Sequence, residues 1–345
     1  MTAHRETLAV LDAAALRQWC RDGARALGLA RAEIDALNVF PVPDGDTGTN
    51  LFLTIEAAAD AVEDSAGMAL QGDDVGATAL ALARGALLGA RGNSGVIVSQ
   101  MLRGLAETVA GASPSAAAAD VFHRGLVRAA DLAYAAVARP VEGTVLTVAR
   151  AAAQAAESAA GASLAEAVRA AASGARTALE LTPDQLEVLA RAGVVDAGGR
   201  GLVVLLEALE SVVTGVEQQS GDRDARPVRP VRAGPDWDPS TFEGPAFEVM
   251  YLLEADDDVI PILQDTLGGM GDSLVVVGGD RLWNVHVHVD EPGPAVEAGV
   301  VAGRPYRIRI TSLETPAARV PSGRGIVAVA PGAGLAALQI GRAHV

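Results

Sequence analysis

Asp44 and Asp46 stand two residues apart within Asn38-Val39-Phe40-Pro41-Val42-Pro43-Asp44-Gly45-Asp46-Thr47-Gly48-Thr49-Asn50. The two prolines stiffen the approach and bias Val42 away from helix, so 38–43 is expected to be extended. In a turn punctuated by Gly45 and Gly48, alternate carboxylates converge on one point and suit a hard cation such as Mg²⁺. Thr47, Thr49 and Asn50 can cap the apolar run 51–62, which is expected to be a helix. A helix N-terminus suits phosphate. A magnesium–nucleotide needs both features at once. The same residue types also make an ordinary turn and cap, so the weight comes from the loops that accompany this one.

Three further junctions repeat the pattern of small and polar residues ahead of an apolar run. Gly89-Ala90-Arg91-Gly92-Asn93-Ser94-Gly95 precedes 96–105. Here Asn93, Ser94 and Gly95 can face a ligand closely. Pro140-Val141-Glu142-Gly143-Thr144-Val145-Leu146-Thr147 places Thr144 as a cap for a run ending near 160. Gly193-Val194-Val195-Asp196-Ala197-Gly198-Gly199-Arg200-Gly201 opens onto 202–213, with Asp196 and Gly198 at the junction. Each of these is, by itself, equally a packing corner. If the helices run up and down, however, their starts gather at one end and can surround a single ligand. Elsewhere, His286 and His288 lie two apart on an alternating stretch and project from one face of a strand. Two imidazoles on one face can ligate a metal or can simply be polar surface.

The elements that would position these residues are mostly helical in the first part of the chain. Runs 7–29, 75–88, 116–137 and 164–181 have helical patterning, 31–37 leads into the first motif, and Thr182-Pro183-Asp184 reads as an N-cap. Stretch 217–238 is polar, with Arg223, Arg226, Arg229 and Arg232 among Pro227, Pro230 and Pro235, and is expected to be a linker. Beyond it, 247–253, 273–277, 282–290 and 306–311 are strand-like, with a helix at 256–267 and a turn at 268–272.

The chain has 345 residues, half of them hydrophobic, chiefly through Ala, Val and Leu, as close-packed helices require. A net charge of −16 argues against nucleic acid or an anionic membrane as a general partner. No apolar run is long and clean enough for membrane insertion and the start has no signal-peptide pattern, so a cytoplasmic protein is expected. Cys20 is the single cysteine, which excludes an internal disulfide and a cysteine-based zinc cluster. There is no lysine, which excludes a Walker-type phosphate loop and Schiff-base chemistry. Phosphate chemistry would rest on metal, arginine and backbone N–H groups.

The segments NVFPVPDGDTGTN, GARGNSGVIVSQMLRG, PVEGTVLTVA and GVVDAGGRGL occur in this order and resemble the nucleotide-binding domain of bacterial fatty-acid kinases. That domain is similar to the ATP-binding L subunit of dihydroxyacetone kinases, a barrel of antiparallel helices. GDSLVVVGGDRLWNVHVHVDEPG resembles the family's middle domain. The resemblance implies an all-α antiparallel barrel over 1–216, a linker over 217–242 and a smaller α/β domain over 243–318. It further implies the start of a C-terminal domain in 319–345, whose last residues, back-translated, resemble a sequencing adapter and are expected to be an artefactual tail.

By the same resemblance the reaction is transfer of the ATP γ-phosphate to the carboxylate of a fatty acid held by a separate lipid-binding protein, giving an acyl-phosphate. Asp44 and Asp46 would hold Mg²⁺. Asn38 stands near the place where dihydroxyacetone kinases have a third acidic ligand. Thr47, Gly48, Thr49, Asn50, Asn93, Ser94 and Gly95 would sit on the phosphates, Asp196 and Gly198 near the nucleoside, and Thr144 and Thr147 nearby. Some relatives hold zinc with a cysteine and the two histidines. Glu248 aligns with that cysteine here, which implies a Zn²⁺ site of Glu248, His286 and His288. A homodimer is expected. The rival readings are a kinase for a dihydroxyacetone-like small molecule and a nucleotide-binding scaffold without turnover.

Overall fold

The computed structural model describes residues 7–68, 74–159, 161–216 and 244–313. The expected linker at 217–242 and the stretch 319–345 lie outside these residues. The first part is a closed ring of helices: α1 (Ala13–Leu37), α2 (Thr47–Met68), α3 (Val75–Gly89), α4 (Gly92–Ala110), α5 (Ala118–Ala136), α6 (Val145–Glu157), α7 (Leu164–Glu180) and α10 (Ala197–Thr214). Each packs on its successor, and α10 packs on both α7 and α1, which closes the ring. The short helices α8 (Thr182–Gln185) and α9 (Glu187–Ala192) bridge α7 and α10. This is the all-helical barrel expected from the sequence.

Local chemistry sets the ends of these helices. Asp12 accepts from the Ala15 N–H at 2.7 Å, so α1 begins at Ala13 instead of near Thr7. It then runs unbroken to Leu37, absorbing the separate segment expected at 31–37. Ser163 and Glu166 form a reciprocal capping box at the start of α7. Alanine and glycine let the helices approach closely. A Cβ added at Gly104 of α4 would lie 2.6 Å from the backbone nitrogen of Ala129 in α5.

The second part is a four-stranded antiparallel sheet of β1 (Phe247–Glu254), β2 (Gly271–Gly279), β3 (Leu282–Val289) and β4 (Arg304–Ser312), in the order β2-β3-β1-β4. The region expected as a turn at 268–272 already belongs to β2 from Gly271 onward. Helices α11 (Ile260–Gly268) and α12 (Pro292–Ala302) cover one face over Val249, Tyr251, Leu253, Val285 and Val287. The glycine- and proline-rich α12 had no clear signal in the sequence. Packing selects it: a Cβ at Gly299 would lie 2.8 Å from the Tyr251 ring, whose hydroxyl donates to the Ala295 carbonyl at 3.2 Å.

The other face of the sheet lies on the helical ring, where Met250, Val275 and Val277 pack with Ala90, Val96 and Ala136. Asn284 Nδ2 donates to the Leu87 carbonyl at 3.1 Å, and the Ala138 N–H donates to the Leu274 carbonyl at 3.3 Å. Arg103 donates to the Gly278 carbonyl across the same seam. Among the described residues no helix is long and apolar enough to cross a membrane.

Gly104→Val should destabilise the protein by about 1–3 kcal/mol, because the added atoms meet backbone of α5 rather than a movable side chain. Urea unfolding of the two forms measures this. Unchanged stability would mean that α4 and α5 can slide apart freely.

Candidate active site

The site is built where α1 ends and α2 begins. The Asn38 N–H closes α1 on the Asp35 carbonyl at 3.2 Å, and the chain then passes through a cis Phe40–Pro41 bond to Asp44. Helix α2 starts at Thr47, so Thr47, Thr49 and Asn50 belong to its first turn instead of preceding it as caps. Asp35, which sequence reasoning passed over, fastens this junction. Its carboxylate accepts from the Thr49 N–H and from the Thr49 hydroxyl, both at 2.9 Å. The Thr49 side chain is thereby committed to Asp35. A Cβ at Gly48 would lie 2.4 Å from the Arg31 carbonyl oxygen, so only glycine permits the approach, and Gly45 holds a φ of 68°.

Asp44 and Asp46 share one small volume. Burial, then the adjacent Asp46, pushes the Asp44 carboxyl up to about 7. Burial likewise raises Asp46, partly offset by a hydrogen bond from the Asn50 side chain. Asn38 donates its amide to Asp44 and so steadies the charged form. In this arrangement the amide nitrogen of Asn38 is committed to Asp44. Glu248, from β1 of the sheet, stands close enough to raise both aspartates further. Crowded carboxylates that resist ionisation are what a divalent cation would relieve, and the oxygen donors of Asp44 and Asp46 fit Mg²⁺.

The remaining helix starts gather beside this pair. A Cβ at Gly92 would lie 2.2 Å from Asn50 Nδ2, and one at Gly95 would lie 2.3 Å from Thr54 Oγ1, so α4 begins hard against α2. Ser94 Oγ lies 3.5 Å from Thr47 Oγ1. The side-chain oxygen of Asn93 is buried without a protein partner. Thr54, fully buried and not singled out in the sequence, ties the two helices by accepting from the Arg91 N–H at 3.2 Å and donating to the Asn50 carbonyl at 2.7 Å.

Helix α10 joins the row through Gly201, whose added Cβ would lie 2.2 Å from Leu51 Cδ1. Asp196 caps α10 by accepting from the Gly199 N–H at 2.7 Å, and it also accepts from the Val145 N–H of α6. Burial pushes Asp196 up to about 6. Gly198 lets α10 sit against α6, its added Cβ 3.2 Å from Val145 Cβ. Thr144 caps α6 through the Leu146 N–H. Thr182 does not cap a helix. It accepts from the Asp196 N–H at 3.1 Å and donates to the Leu179 carbonyl at 2.7 Å. Asp196 and Thr144 are thus buried struts, and Thr147 bonds Glu142 at 2.5 Å. The starts of α4, α2, α10 and α6 form a continuous row at one end of the ring.

On the sheet, His286 and His288 lie on the face turned toward the ring and are buried, not solvent-facing. His286 Nδ1 donates to the Ser273 carbonyl at 3.1 Å, and its Nε2 lies 3.1 Å from Glu248 Oε1. Two electron pairs face each other there unless a proton or cation lies between them. His288 Nδ1 is buried without a hydrogen-bond partner, and burial, with His286 beside it, holds the ring down to about 3. Burial pushes Glu248 up, but the hydrogen bond and charge of His286 bring it below the ordinary range. One ligand atom from each of the three residues lies within 4.8 Å of the others. A carboxylate and two neutral imidazoles are a donor set that fits zinc.

Comparison with known proteins bears on these features. Residues 41–211 match the DAK2 domain, and residues 244–320 match the middle domain of proteins like the A component of fatty acid kinase. The chain belongs to the family in which these two domains follow one another. It is 36% identical to Protein YloV of Bacillus subtilis (strain 168) over 96% of this chain and 64% of the relative. It is 33% identical to an uncharacterised protein of Staphylococcus haemolyticus (strain JCSC1435), covering 84% of this chain and 53% of that one. An uncharacterised protein of Staphylococcus aureus (strain USA300) is 34% identical over 84% of this chain and 54% of its own length. The chain therefore spans between about half and two thirds of these relatives.

The folded Asp44 value, about 7, lies above the ordinary carboxylate value, so the metal-free pair costs stability as pH rises through that point. Mg²⁺ affinity should accordingly weaken as pH falls below about 7, with protons released on binding. Calorimetry in buffers of different ionisation enthalpy reads this, and Asp44→Asn should lower the proton release. Separately, His286→Ala should lower the zinc content per chain. Purified protein free of zinc before mutation would remove the metal assignment at Glu248, His286 and His288.

Proposed function

We propose that the protein is an ATP- and Mg²⁺-dependent kinase that phosphorylates the carboxylate of a fatty acid presented by a separate lipid-binding protein, forming an acyl-phosphate. The observation that carries this reading is the pair Asp44 and Asp46 at the start of α2, crowded against the start of α4 at the end of the ring where α10 and α6 also begin. Paired carboxylates beside exposed helix N–H groups fit the metal and the phosphates of a nucleotide together. The DAK2 match supports nucleotide phosphotransfer, and the middle-domain match favours a fatty acid over a triose as acceptor.

In this reading Asp44 and Asp46 hold the cation, and Asn38 orients Asp44 by its amide hydrogen bond. Ser94, Thr47 and the first N–H groups of α2 and α4 bind phosphate oxygens. Mg²⁺ held there would supply charge neutralisation to the phosphates. The acceptor carboxylate oxygen attacks the γ-phosphorus, the bond to the bridging oxygen breaks, and ADP departs with that electron pair. Phosphoryl transfer requires positioning and charge stabilisation more than covalent help from the protein.

Titration of ATP with and without Mg²⁺ tests the nucleotide site first: binding should require Mg²⁺ and be lost in both Asp44→Ala and Asp46→Ala. Asp46→Asn should then lower turnover about 10²-fold or more while helical content by circular dichroism is kept, since loss of a metal ligand removes several kcal/mol of charge stabilisation. Turnover with a fatty-acid-loaded lipid-binding protein but none with dihydroxyacetone supports the acceptor assignment. The reverse pattern overturns it.

A further inference from the structure

Strand β4 forms the edge of the sheet, and its pairing with β1 slips along its length. Met250 faces Arg309 but Leu252 faces Tyr306, so β4 accommodates one extra residue between them. Arg307 lies in this bulge with a φ of 52°, a left-handed conformation that a long side chain keeps only where its surroundings enforce it. Bulges redirect side chains and recur beside active sites. Here the bulge turns Arg307 toward the ring, where its Nη1 donates to the Leu88 carbonyl at 3.5 Å, in the last turn of α3. Arg309 is opposite Met250, which is buried in the seam against Ala90 and Val96, so Arg309 rises from the same ring-facing side.

Across the seam stands Arg91, immediately before α4. Burial lowers its basicity, and the charges of Arg309 and Arg307 lower it further, so the three guanidinium groups lie within electrostatic reach of one another. Among the described residues none of the three forms an ion pair with a carboxylate. This is notable in a chain with 43 acidic and 27 basic residues, where most of the structured arginines around the ring find an acid. Like charges gathered without a counter-charge are unfavourable until an anion joins them. The planar guanidinium fork matches phosphate oxygens in particular. The location is the mouth of the 89–95 loop, whose Ser94 approaches Thr47 next to Asp46. With no lysine in the chain, fixed positive charge at this position must come from arginine.

We propose that Arg307 and Arg309 of the sheet close with Arg91 of the ring around the terminal phosphate of the bound nucleotide, so that β4 completes the phosphotransfer site within one chain. The proposal rests on the kinase reading above. The guanidinium groups donate hydrogen bonds to the non-bridging oxygens of that phosphate while the bond to ADP breaks and the bond to the acceptor oxygen forms. No proton leaves the arginines.

The test is calorimetric titration of the full chain with Mg-ATP, Mg-ADP and pyrophosphate, comparing wild type, R307Q/R309Q and the control R281Q/R304Q. The control removes the same charge from exposed arginines paired with Asp256 and Glu254. R307Q/R309Q should lose about tenfold or more in Mg-ATP affinity while Mg-ADP affinity stays within about twofold, and the control should change neither. Equal effects on both nucleotides, or none, overturn the proposal. So does a rise in the KM of the acceptor with nucleotide affinities unchanged, which would give the arginines to the acceptor carboxylate. If wild type binds pyrophosphate but no nucleotide, and R307Q/R309Q loses the pyrophosphate, the arginine site stands and the nucleotide reading falls. If wild type binds neither, both fall.

Discussion

The repulsion between Asp44 and Asp46 is the constraint on which the rest of the site depends. Two carboxylates brought together at a partly enclosed turn are unfavourable, and burial raises both further. The fold concentrates compensating groups around them: the Asn38 amide, the Asn50 side chain and the positive ends of α2 and α4. It then adds a third acid, Glu248, from the sheet. The outcome is an excess of negative charge that neutral dipoles only partly offset. Such a place is arranged for a cation.

Small residues make this crowding sterically possible. At Gly48, Gly92, Gly95 and Gly201 even one methyl group would collide with a neighbouring helix or its side chains. Those contacts bring the starts of α2, α4 and α10 within reach of each other. The abundant alanine of the ring has the same consequence along the helices, because thin interfaces let eight helices close on themselves. The polar struts Asp35, Thr54 and Thr182 then fix the loops in place, each by satisfying backbone N–H groups that helix starts leave open.

The sheet contributes more than a lid over the ring. Its ring-facing side carries Glu248, His286 and His288 next to the aliphatic contacts of Met250, Val275 and Val277. A seam with buried ionisable groups is costly unless those groups have partners, and the close approach of His286 to Glu248 calls for a shared proton or metal. The carboxylate of Glu248 faces both the histidines and the aspartates. Through that residue the ring and the sheet form one electrostatic system.

Sequence alone determined the helices, the alternating strands and the loops that bear chemistry, because glycine, proline and capping residues act locally and periodicity reports a buried face, while the closed ring was implied by the family resemblance. Most helix boundaries followed from the same local rules, as at Thr144 and Val75. What only tertiary structure decided are the long-range pairings. Asp35 acquires its role from Thr49, fourteen residues on, Thr182 from Asp196, and α12 from the Tyr251 ring. The location of Arg307 depends on a bulge that no local pattern in β4 encodes. His286 and His288 illustrate the division: their spacing placed them on one face, whereas burial of that face against the ring came from packing between ring and sheet. Local sequence specifies conformation residue by residue. Which distant charges must share a volume is settled only when the surfaces meet.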